Sequence, residues 1–477
     1  MIQKDNILGK TNLRVSPIGF GGYRIDNEIE MHANALKFAI ENGINLIDTS
    51  SNYSNGGSEV LIGNVVKKLI SDSLIARDDL VIVSKAGYIQ GDNIKLLEQK
   101  INEGEAYEEV VRCTPELYHS INPRFISDQV ELSLRRLKLD YIDLFLLHNP
   151  EYFLLYTKER DADALRDEYY RRIKSAFAVL EHLVEIGKIR HYGISSNTFI
   201  DDSDKRKFTS LEKLIELANS ISPNNHFSVV QTPINLIEKD AANNFNQKNN
   251  TKTFLQIASE NNIGVLGNRP LNAIEDGKLI RLTDYEIEED RTDEEIKDLL
   301  KQQQKLELEI INDYSQLFPE HQKNDLIEFI SLSKFLKANI KKFTGVTHFN
   351  DVKSHHLIPQ INYAINEIYT MDPDNQKTIS KLNHFAVASN ILLNSIASLY
   401  AAKKNEDNKK LHSSLSKYFN DPEFKIPLSQ KAIKMVTALP EVSTVLVGMR
   451  RVSYVKDIIE AYNLPEIENA SNFWHSN

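Results

Sequence analysis

The stretch IDLFLLH, residues 142–148, is apolar apart from Asp143 until it ends in His148. A short apolar run of this kind predicts a strand that is buried on both faces of a parallel sheet. Other segments along the chain show the same pattern, which predicts eight such strands in all. They are SPIGFG (16–21), INLID (44–48), LVIVSK (80–85), IRHYGIS (189–195), FSVVQ (227–231), IGVLG (263–267) and STVLVG (443–448).

Amphipathic helical patterns lie between these strands, for example ANALKFAIENG (33–43) and IKSAFAVLEHLVEIGK (173–188). Gly43 and Gly187 stand where a helix commonly ends. Strands that alternate with helices predict an α/β fold of the (β/α)8 TIM-barrel type, with an open doubly wound sheet as the main alternative. The opening segment NILGKTNLRVSPIGFGG (6–22) is expected to form a β-hairpin that closes the barrel floor.

The chain has 477 residues, whereas a barrel of this type takes about 250. Most of the surplus lies between strand 7 and helix 7, in a region rich in charged amphipathic patterns. The expected organisation is therefore barrel (1–275), all-helical insertion (276–425) and the last part of the barrel (426–477). The insertion is expected to leave the barrel at its catalytic mouth, and two roles stay open for it: a roof over the pocket or a contact between subunits of an oligomer.

One helix of this insertion is predicted in detail, because DEEIKDLLKQQQKLELEI (293–310) places Ile296, Leu299, Leu306 and Ile310 along one face. Gln303 interrupts that face. Two smaller surpluses follow strands, at about 89–122 and about 151–171.

Polar residues stand at the carboxyl ends of three predicted strands: Asp48, Lys85 and His148. Tyr53 follows in the loop after the first of them. Taken singly, the aspartate reads as a turn residue, the lysine as a solvated charge and the histidine as an ordinary loop residue. Because parallel strand ends converge on one mouth of a barrel, we expect the four side chains to form one catalytic site.

The four side chains suit the reduction of a carbonyl. A free tyrosine has a pKa near 10, and a nearby ammonium is expected to lower the pKa of Tyr53, with Asp48 holding Lys85 charged. A neutral His148 would donate a hydrogen bond to the carbonyl oxygen, so that together the groups stabilise a developing alkoxide. None of them supplies a hydride, which implies a nicotinamide cofactor.

Composition excludes several other classes. The net charge of −10 argues against a nucleic-acid partner. The single cysteine, Cys113, cannot form an intrachain disulfide. No apolar run near the roughly 20 residues of a membrane span is evident, and no metal-site pattern is present. The sequence therefore predicts a cytoplasmic protein with a small-molecule partner.

Several of these segments together resemble the aldo-keto reductase family. The resemblance is carried by LGKTNLRVSPIGFGGYR, GINLIDTSSNYSNGGSEVLIG, LVIVSKAG, SLRRLKLDYIDLFLLHNP, VEIGKIRHYGISSNTF, VVQTPINLI and VSTVLVGMR. It implies that Tyr53 is the general acid/base, that Lys85 and Asp48 tune it, and that His148 orients the carbonyl.

The resemblance also implies a nicotinamide site. Ser195 and Ser196 in GISSN match a Ser-Asn pair that holds the carboxamide, with Gln231 as third partner. Because the asparagine is displaced by one position, Ser196 and Asn197 both remain candidates. Further residues implied as cofactor contacts are Asp48 and, at the pocket floor, Gly22 and Tyr23.

The cofactor phosphates are expected at two loops. GMRR (448–451) matches the loop that binds the adenosine phosphate, and Arg450 and Arg451 beyond Gly448 would pair with a 2′-phosphate, which favours NADP(H) over NAD(H). The family usually has YSPLG where this chain has NRPLN (268–272). Here Asn268 cannot stack on the nicotinamide as a tyrosine would, Arg269 adds a charge, and Leu271 completes the loop.

The sequence thus predicts an NAD(P)-dependent oxidoreductase that reduces an aldehyde, ketone or sugar carbonyl. Two alternatives stay open. One is a sugar or polyol dehydrogenase that works in the oxidative direction. The other is a non-catalytic cofactor-binding sensor or scaffold that acts through the helical insertion.

Overall fold

The computed structural model describes residues 1–158, 161–275 and 277–475. The chain forms two compact units, which are described separately. The first comprises residues 1–282 with 418–477, and the second comprises residues 283–417.

The first unit is a closed barrel of eight parallel strands, which neighbour one another around the barrel in chain order. This confirms the predicted fold class. Each predicted strand is present, with ends that differ by at most two residues. The strands are β1 (Ile18–Gly21), β2 (Leu46–Asp48), β3 (Val81–Ala86), β4 (Ile142–His148), β5 (Ile189–Ser195), β6 (Phe227–Pro233), β7 (Gly264–Asn268) and β8 (Thr444–Gly448).

A helix follows each barrel strand, as the alternating pattern predicts. In chain order these helices are Glu30–Glu41, Gly57–Ser71, Pro123–Leu137, Ala162–Glu185, Leu211–Ile221, Phe254–Glu260, Leu428–Thr437 and Val452–Asn463. Shorter helices are Tyr152–Tyr156, Asp240–Asn243 and Ser471–Trp474.

The predicted N-terminal hairpin is present, because Asn6–Ile7 pairs antiparallel with Arg14–Val15. Leu8 and Val15 are buried among the apolar side chains inside the barrel. The turn between them lies against β7 so closely that a Cβ on Gly9 would be 2.2 Å from the backbone nitrogen of Gly264. The hairpin therefore closes one end of the barrel and leaves the other end for the site.

The surplus after β3 folds as a small antiparallel sheet of Tyr88–Ile89, Val111–Thr114 and Leu117–His119, with a helix at Asp92–Asn102. A second element that the sequence analysis did not predict is the hairpin of Asn272–Glu275 and Lys278–Arg281, which follows β7. The dipeptide DG at 276–277 is the sequence signal that would have indicated it.

The second unit is helical. Its helices are Asp293–Tyr314, Glu320–Ile330, Leu332–Asn339, Val346–Val352, Ile358–Met371 and Gln376–Phe419. The last two residues of Gln376–Phe419 belong to the first unit. In the first of these helices Gln303 is buried and donates from Nε2 to Ser389 Oγ at 2.9 Å. The apparent interruption of the apolar face is thus a polar contact inside the unit, although Gln303 Oε1 has no hydrogen-bond partner among the described residues.

The helix Gln376–Phe419 is long and apolar enough, by length and composition, to cross a membrane. Its most apolar 18-residue window has a mean hydropathy of 1.4, and 44% of that window is buried in the structure. Leu382, Phe385 and Leu392 of this helix belong to the apolar core of the helical unit. That packing gives the hydropathy an explanation within the fold, so the length of the helix alone is weak support for a membrane span.

Candidate active site

The carboxyl ends of β1, β2, β4 and β8 surround a pocket of about 710 Å³. The residues that line it include Tyr23, Arg24, Tyr53, Tyr88, His148 and Arg450. The loops after the strands therefore bring these three tyrosines, a histidine and two guanidinium groups around one cavity.

Lys85 and Asp48 form a buried ion pair beside this pocket. The Lys85 ammonium lies 2.7 Å from Asp48 Oδ1 and 2.8 Å from Oδ2, and it also donates to the carbonyl oxygen of Thr49 at 2.7 Å. The Lys85 side chain is fully buried. The sequence prediction that Asp48 holds Lys85 in place agrees with this geometry.

Burial acts against both charges of the pair. It raises the pKa of the Asp48 carboxyl and lowers the pKa of the Lys85 ammonium, and in each case the charge of the partner opposes the shift. Gln231 Nε2 donates a further hydrogen bond to Asp48 Oδ1 at 2.9 Å. Removing either partner would leave the other charge uncompensated in a buried site.

Tyr53 lies between the ion pair and the histidine. Its ring centre is 5.1 Å from Lys85 Nζ and 5.9 Å from the ring centre of His148. The pKa of its phenol is raised well above the usual value by burial, then by the charge of Asp48 and by Tyr23. The net direction is therefore opposite to the expected one, because burial and the charge of Asp48 outweigh any effect of the Lys85 ammonium, which donates to Asp48 and Thr49 and, among the described residues, makes no hydrogen bond to the phenol.

His148 is buried, and its surroundings disfavour the protonated imidazole. Burial lowers its pKa well below the usual value, and the charges of Lys85 and His119 add to the effect. The ring of Tyr88 packs edge-on against the imidazole, with ring centres 4.7 Å apart. A neutral imidazole is the state that the sequence analysis required for contact with a carbonyl oxygen.

A hydrogen-bonded chain links the ion pair to the residues expected to hold the nicotinamide. Ser195 Oγ donates to Gln231 Oε1 at 2.8 Å, and Gln231 in turn donates to Asp48. The Ser196 hydroxyl is 3.0 Å from Thr198 Oγ1 and accepts from the Thr198 amide at 3.1 Å, so it is already engaged. The Asn197 amide donates to Glu151 Oε1 at 3.0 Å.

Glu151 is a buried acid that the sequence analysis did not single out. Its side chain is 1% exposed, and Oε2 has no hydrogen-bond partner among the described residues. Burial raises the pKa of its carboxyl to about 7, with Asp201 adding to the increase and hydrogen bonds from Asn197 and Ser196 opposing it. The loop that carries Ser196 and Asn197 is thus held by a group that titrates near neutral pH.

The raised pKa of Glu151 predicts a stability that depends on pH. The folded chain binds this proton more tightly than the unfolded chain, so the stabilisation is full below the ordinary pKa of a glutamate and is lost as the pH rises through 7. Between about pH 6 and pH 8 we expect the free energy of unfolding to fall by about 1 kcal/mol from this group alone. Glu151→Gln should remove that component in urea titrations, and an unchanged pH dependence would contradict the assignment.

Four arginines gather where the cofactor phosphates are expected. Burial lowers the pKa of Arg450, and the charges of Arg24, Arg281 and Arg451 lower it further. Within the part of the chain that the structure describes, none of the four forms an ion pair with a carboxylate. Arg24 follows β1 and Arg281 ends the unpredicted hairpin, so sequence reasoning missed both.

The NRPLN loop differs from its prediction in the charge of Arg269. Arg269 has a positive φ of 54° and pairs with Glu238 Oε1 at 2.7 Å, so its charge is balanced within the protein. Asn268 Oδ1 is buried without a hydrogen-bond partner in the described chain. The Leu271 carbonyl accepts from the Leu282 amide at 3.0 Å, which ties the loop to the end of the hairpin.

The glycines and Tyr23 complete the predicted cofactor residues. The Gly22 amide donates to the Asp48 carbonyl at 2.7 Å, and the space around Gly448 is open. Tyr23 packs edge-on against Tyr53, with ring centres 5.1 Å apart, but it is 64% exposed. Its ring therefore lies at the pocket rim and not at the predicted floor, because the turn after β1 carries it outward.

The residues present fit a dinucleotide. The open arginines suit phosphates, the unpartnered Asn268 oxygen can accept from an amide or a ribose hydroxyl, and Ser195 and Gln231 offer polar groups at the strand ends. The fit rests on the chemistry of these groups and, for the four arginines and Asn268 Oδ1, on the lack of a carboxylate or hydrogen-bond partner within the described residues.

Comparison with known proteins identifies the family of the chain. The model of the family described as "Aldo/keto reductase family" matches residues 17–471. The chain belongs to the aldo/keto reductase family. This confirms the family resemblance and agrees with the observed barrel.

Individual relatives in the family are distant. The chain is 29% identical over 197 residues to the NADH-specific methylglyoxal reductase of Escherichia coli, a match that covers 40% of this chain and 51% of that protein. It is 28% identical over 189 residues to the NADPH-dependent D-xylose reductase of Meyerozyma guilliermondii, covering 38% and 48%. The matched segments thus span about half the length of these relatives.

Among solved structures, the chain is similar to aldo-keto reductase AKR11C1 from Bacillus halodurans in its holo form. The identity is 15% and the TM-score 0.47, with 99% of this chain and 95% of that chain covered.

Proposed function

We propose that this protein is an NADPH-dependent reductase of an aldehyde, ketone or sugar carbonyl, with Tyr53 as the general acid. One observation carries the proposal: Tyr53 and the neutral His148 line one pocket, and the buried Lys85–Asp48 pair lies directly beside it. The names of relatives that act on methylglyoxal and D-xylose support small carbonyl compounds and sugars as the substrate class.

Each residue has a distinct part in the proposed reaction. Ser195 and Gln231 would hold a reduced nicotinamide, which would supply the hydride when bound. His148 donates a hydrogen bond to the carbonyl oxygen and so orients the substrate. Tyr53 gives its phenolic proton to the same oxygen as negative charge develops on it. The Lys85 ammonium, 5.1 Å from the centre of the Tyr53 ring, stabilises the phenolate that this transfer leaves.

The raised pKa of Tyr53 is compatible with its proposed part as a general acid in the reductive direction. A phenol whose pKa lies well above its usual value stays protonated at neutral pH, which is the form that a general acid needs. The oxidative alternative needs the phenolate as a base, and burial makes that form scarce. The reductive direction therefore needs no prior ionisation of the site.

The preference for NADPH is proposed from the four-arginine cluster. A 2′-phosphate adds negative charge to the cofactor. Guanidinium groups bind phosphates through paired, charged hydrogen bonds. Arg450 and Arg451 follow β8, and the mutual repulsion within the cluster would be relieved by an anion. One relative is NADH-specific, so membership of the family does not by itself determine whether NADPH or NADH is preferred.

A double replacement of Arg450 and Arg451 by alanine should narrow the preference for NADPH over NADH by tenfold or more. Charged hydrogen bonds are worth roughly 1.5 to 3 kcal/mol each, and about 1.4 kcal/mol corresponds to a factor of ten. Fluorescence titration of both cofactors measures the effect. Arg14→Ala, at the exposed hairpin on the barrel floor, is the control and should leave both affinities unchanged.

The wild-type titration alone already tests the cofactor assignment. Equal affinity of the wild type for NADH and NADPH would show that the cluster does not read the 2′-phosphate. A panel of methylglyoxal, glyoxal and D-xylose with NADPH then tests reductase activity. Tight cofactor binding without turnover of any carbonyl would favour the sensor or scaffold alternative.

A further inference from the structure

The Ser50 hydroxyl contacts the Nδ1 edge of the His148 ring. Ser50 is fully buried, and its Oγ is 3.0 Å from His148 Nδ1, 2.6 Å from Asn52 Oδ1 and 3.1 Å from the Lys85 carbonyl oxygen. The sequence analysis passed over Ser50 as part of the loop between Asp48 and Tyr53. Its contacts make it the hydrogen-bond partner of the imidazole.

The protons in this group can be counted. A neutral imidazole carries one proton, on Nδ1 or on Nε2. If Ser50 gives its single proton to Asn52 or to Lys85, Nδ1 must donate to Ser50, and Nε2 is left as a bare acceptor. If Ser50 donates to Nδ1, the imidazole proton is on Nε2, where it can meet the oxygen of a carbonyl.

The orientation of the Asn52 amide distinguishes the two arrangements: as placed, Asn52 Oδ1 accepts from Ser50 Oγ, which is the first arrangement. The Asn52 amide nitrogen has no hydrogen-bond partner among the described residues, so a rotation of the amide by half a turn exchanges its nitrogen and oxygen without losing a contact. The nitrogen then donates to Ser50 Oγ at the place where the oxygen stood. The Lys85 carbonyl already accepts from the Ser51 amide at 3.0 Å, so it is satisfied without Ser50.

We propose that Ser50 is a positioning residue that fixes His148 as the Nε2–H tautomer through a relay from Asn52 to Ser50 to Nδ1. This inference rests on the proposed function, because a carbonyl substrate needs a donor at Nε2. The relay places that donor before the substrate arrives, so no proton has to move when the substrate binds. The opposite tautomer would present a lone pair to the carbonyl oxygen and repel it.

Nitrogen NMR on protein with isotope-labelled histidine tests the tautomer without any turnover. The signals of His148 are assigned by their loss in His148→Gln. We expect the wild type and Ser50→Thr, which keeps the hydroxyl, to show a protonated Nε2, and Ser50→Ala to show a mixture of both tautomers. A wild-type imidazole protonated on Nδ1, or a tautomer that is unchanged in Ser50→Ala, would overturn the proposal.

Ser51→Ala is the matched control, because the Ser51 hydroxyl is also buried but has no partner in the described chain. It should leave the tautomer unchanged. In kinetics, Ser50→Ala should lower kcat/KM for a carbonyl substrate about tenfold while the cofactor affinity stays the same. If the wild type turns over no carbonyl, the proposed function fails, whereas the NMR result still decides the tautomer.

Discussion

Tyr53→Phe should lower kcat by about 10²- to 10⁴-fold, the usual contribution of a positioned general acid. The variant keeps the ring, so the edge-on contacts with Tyr23 and His148 are retained. It loses only the proton that the carbonyl oxygen needs. Cofactor affinity should remain close to that of the wild type, because the phenol acts on the substrate and not on the dinucleotide.

Tyr88→Phe is the matched control for this variant. Tyr88 also lines the pocket and also packs against His148, but its hydroxyl accepts a hydrogen bond from Asn149 Nδ2 at 2.9 Å. We expect it to cost less than about tenfold in kcat, as for the loss of one neutral hydrogen bond. A Tyr53→Phe enzyme with the kcat of the Tyr88→Phe enzyme would remove Tyr53 from the proton transfer.

Lys85→Met should lower the free energy of unfolding by about 3 to 5 kcal/mol, because it leaves the Asp48 carboxylate buried without its counter-charge. Gln231 would be the remaining side-chain donor to that carboxylate among the described residues. Urea unfolding measures the loss. Turnover should also fall, because the ammonium beside Tyr53 is gone.

The double variant Asp48→Asn with Lys85→Met separates the two effects. Both charges are then absent, and an asparagine can still accept from Gln231, so most of the lost stability should return. Turnover should not return. If the free energy of unfolding of Lys85→Met is within about 1 kcal/mol of the wild-type value, the Asp48 carboxylate does not depend on Lys85 as its counter-charge, contrary to what the distances indicate.

The barrel strands could be predicted because burial on both faces leaves a continuous apolar run in the sequence. IDLFLLH and IRHYGIS are strands over the whole predicted length. The same reasoning located Asp48, Lys85 and His148, since strand ends in a parallel barrel share one mouth. The predicted boundaries of the helical insertion, its place at the mouth and its role stay predictions.

The contacts that set the chemistry could not be predicted, because they depend on the direction of side chains. The sequence places Lys85 near Tyr53 but does not show how deeply the phenol is buried or that it lies close to the Asp48 charge, and these two effects raise the pKa that was expected to fall. Arg281 joins the cationic cluster only through a hairpin that the sequence analysis did not predict. Ser50 had no distinguishing pattern at all.

The most direct test of the central claim is single-turnover transfer of deuterium from C4-labelled NADPH to a carbonyl substrate, followed by mass spectrometry of the alcohol. Methylglyoxal and D-xylose are the first substrates to try, because relatives are named for them. We predict deuterium on the former carbonyl carbon with the wild type, and a rate at least about 10² lower with Tyr53→Phe. Product without deuterium, or transfer at the same rate in both proteins, would contradict the account.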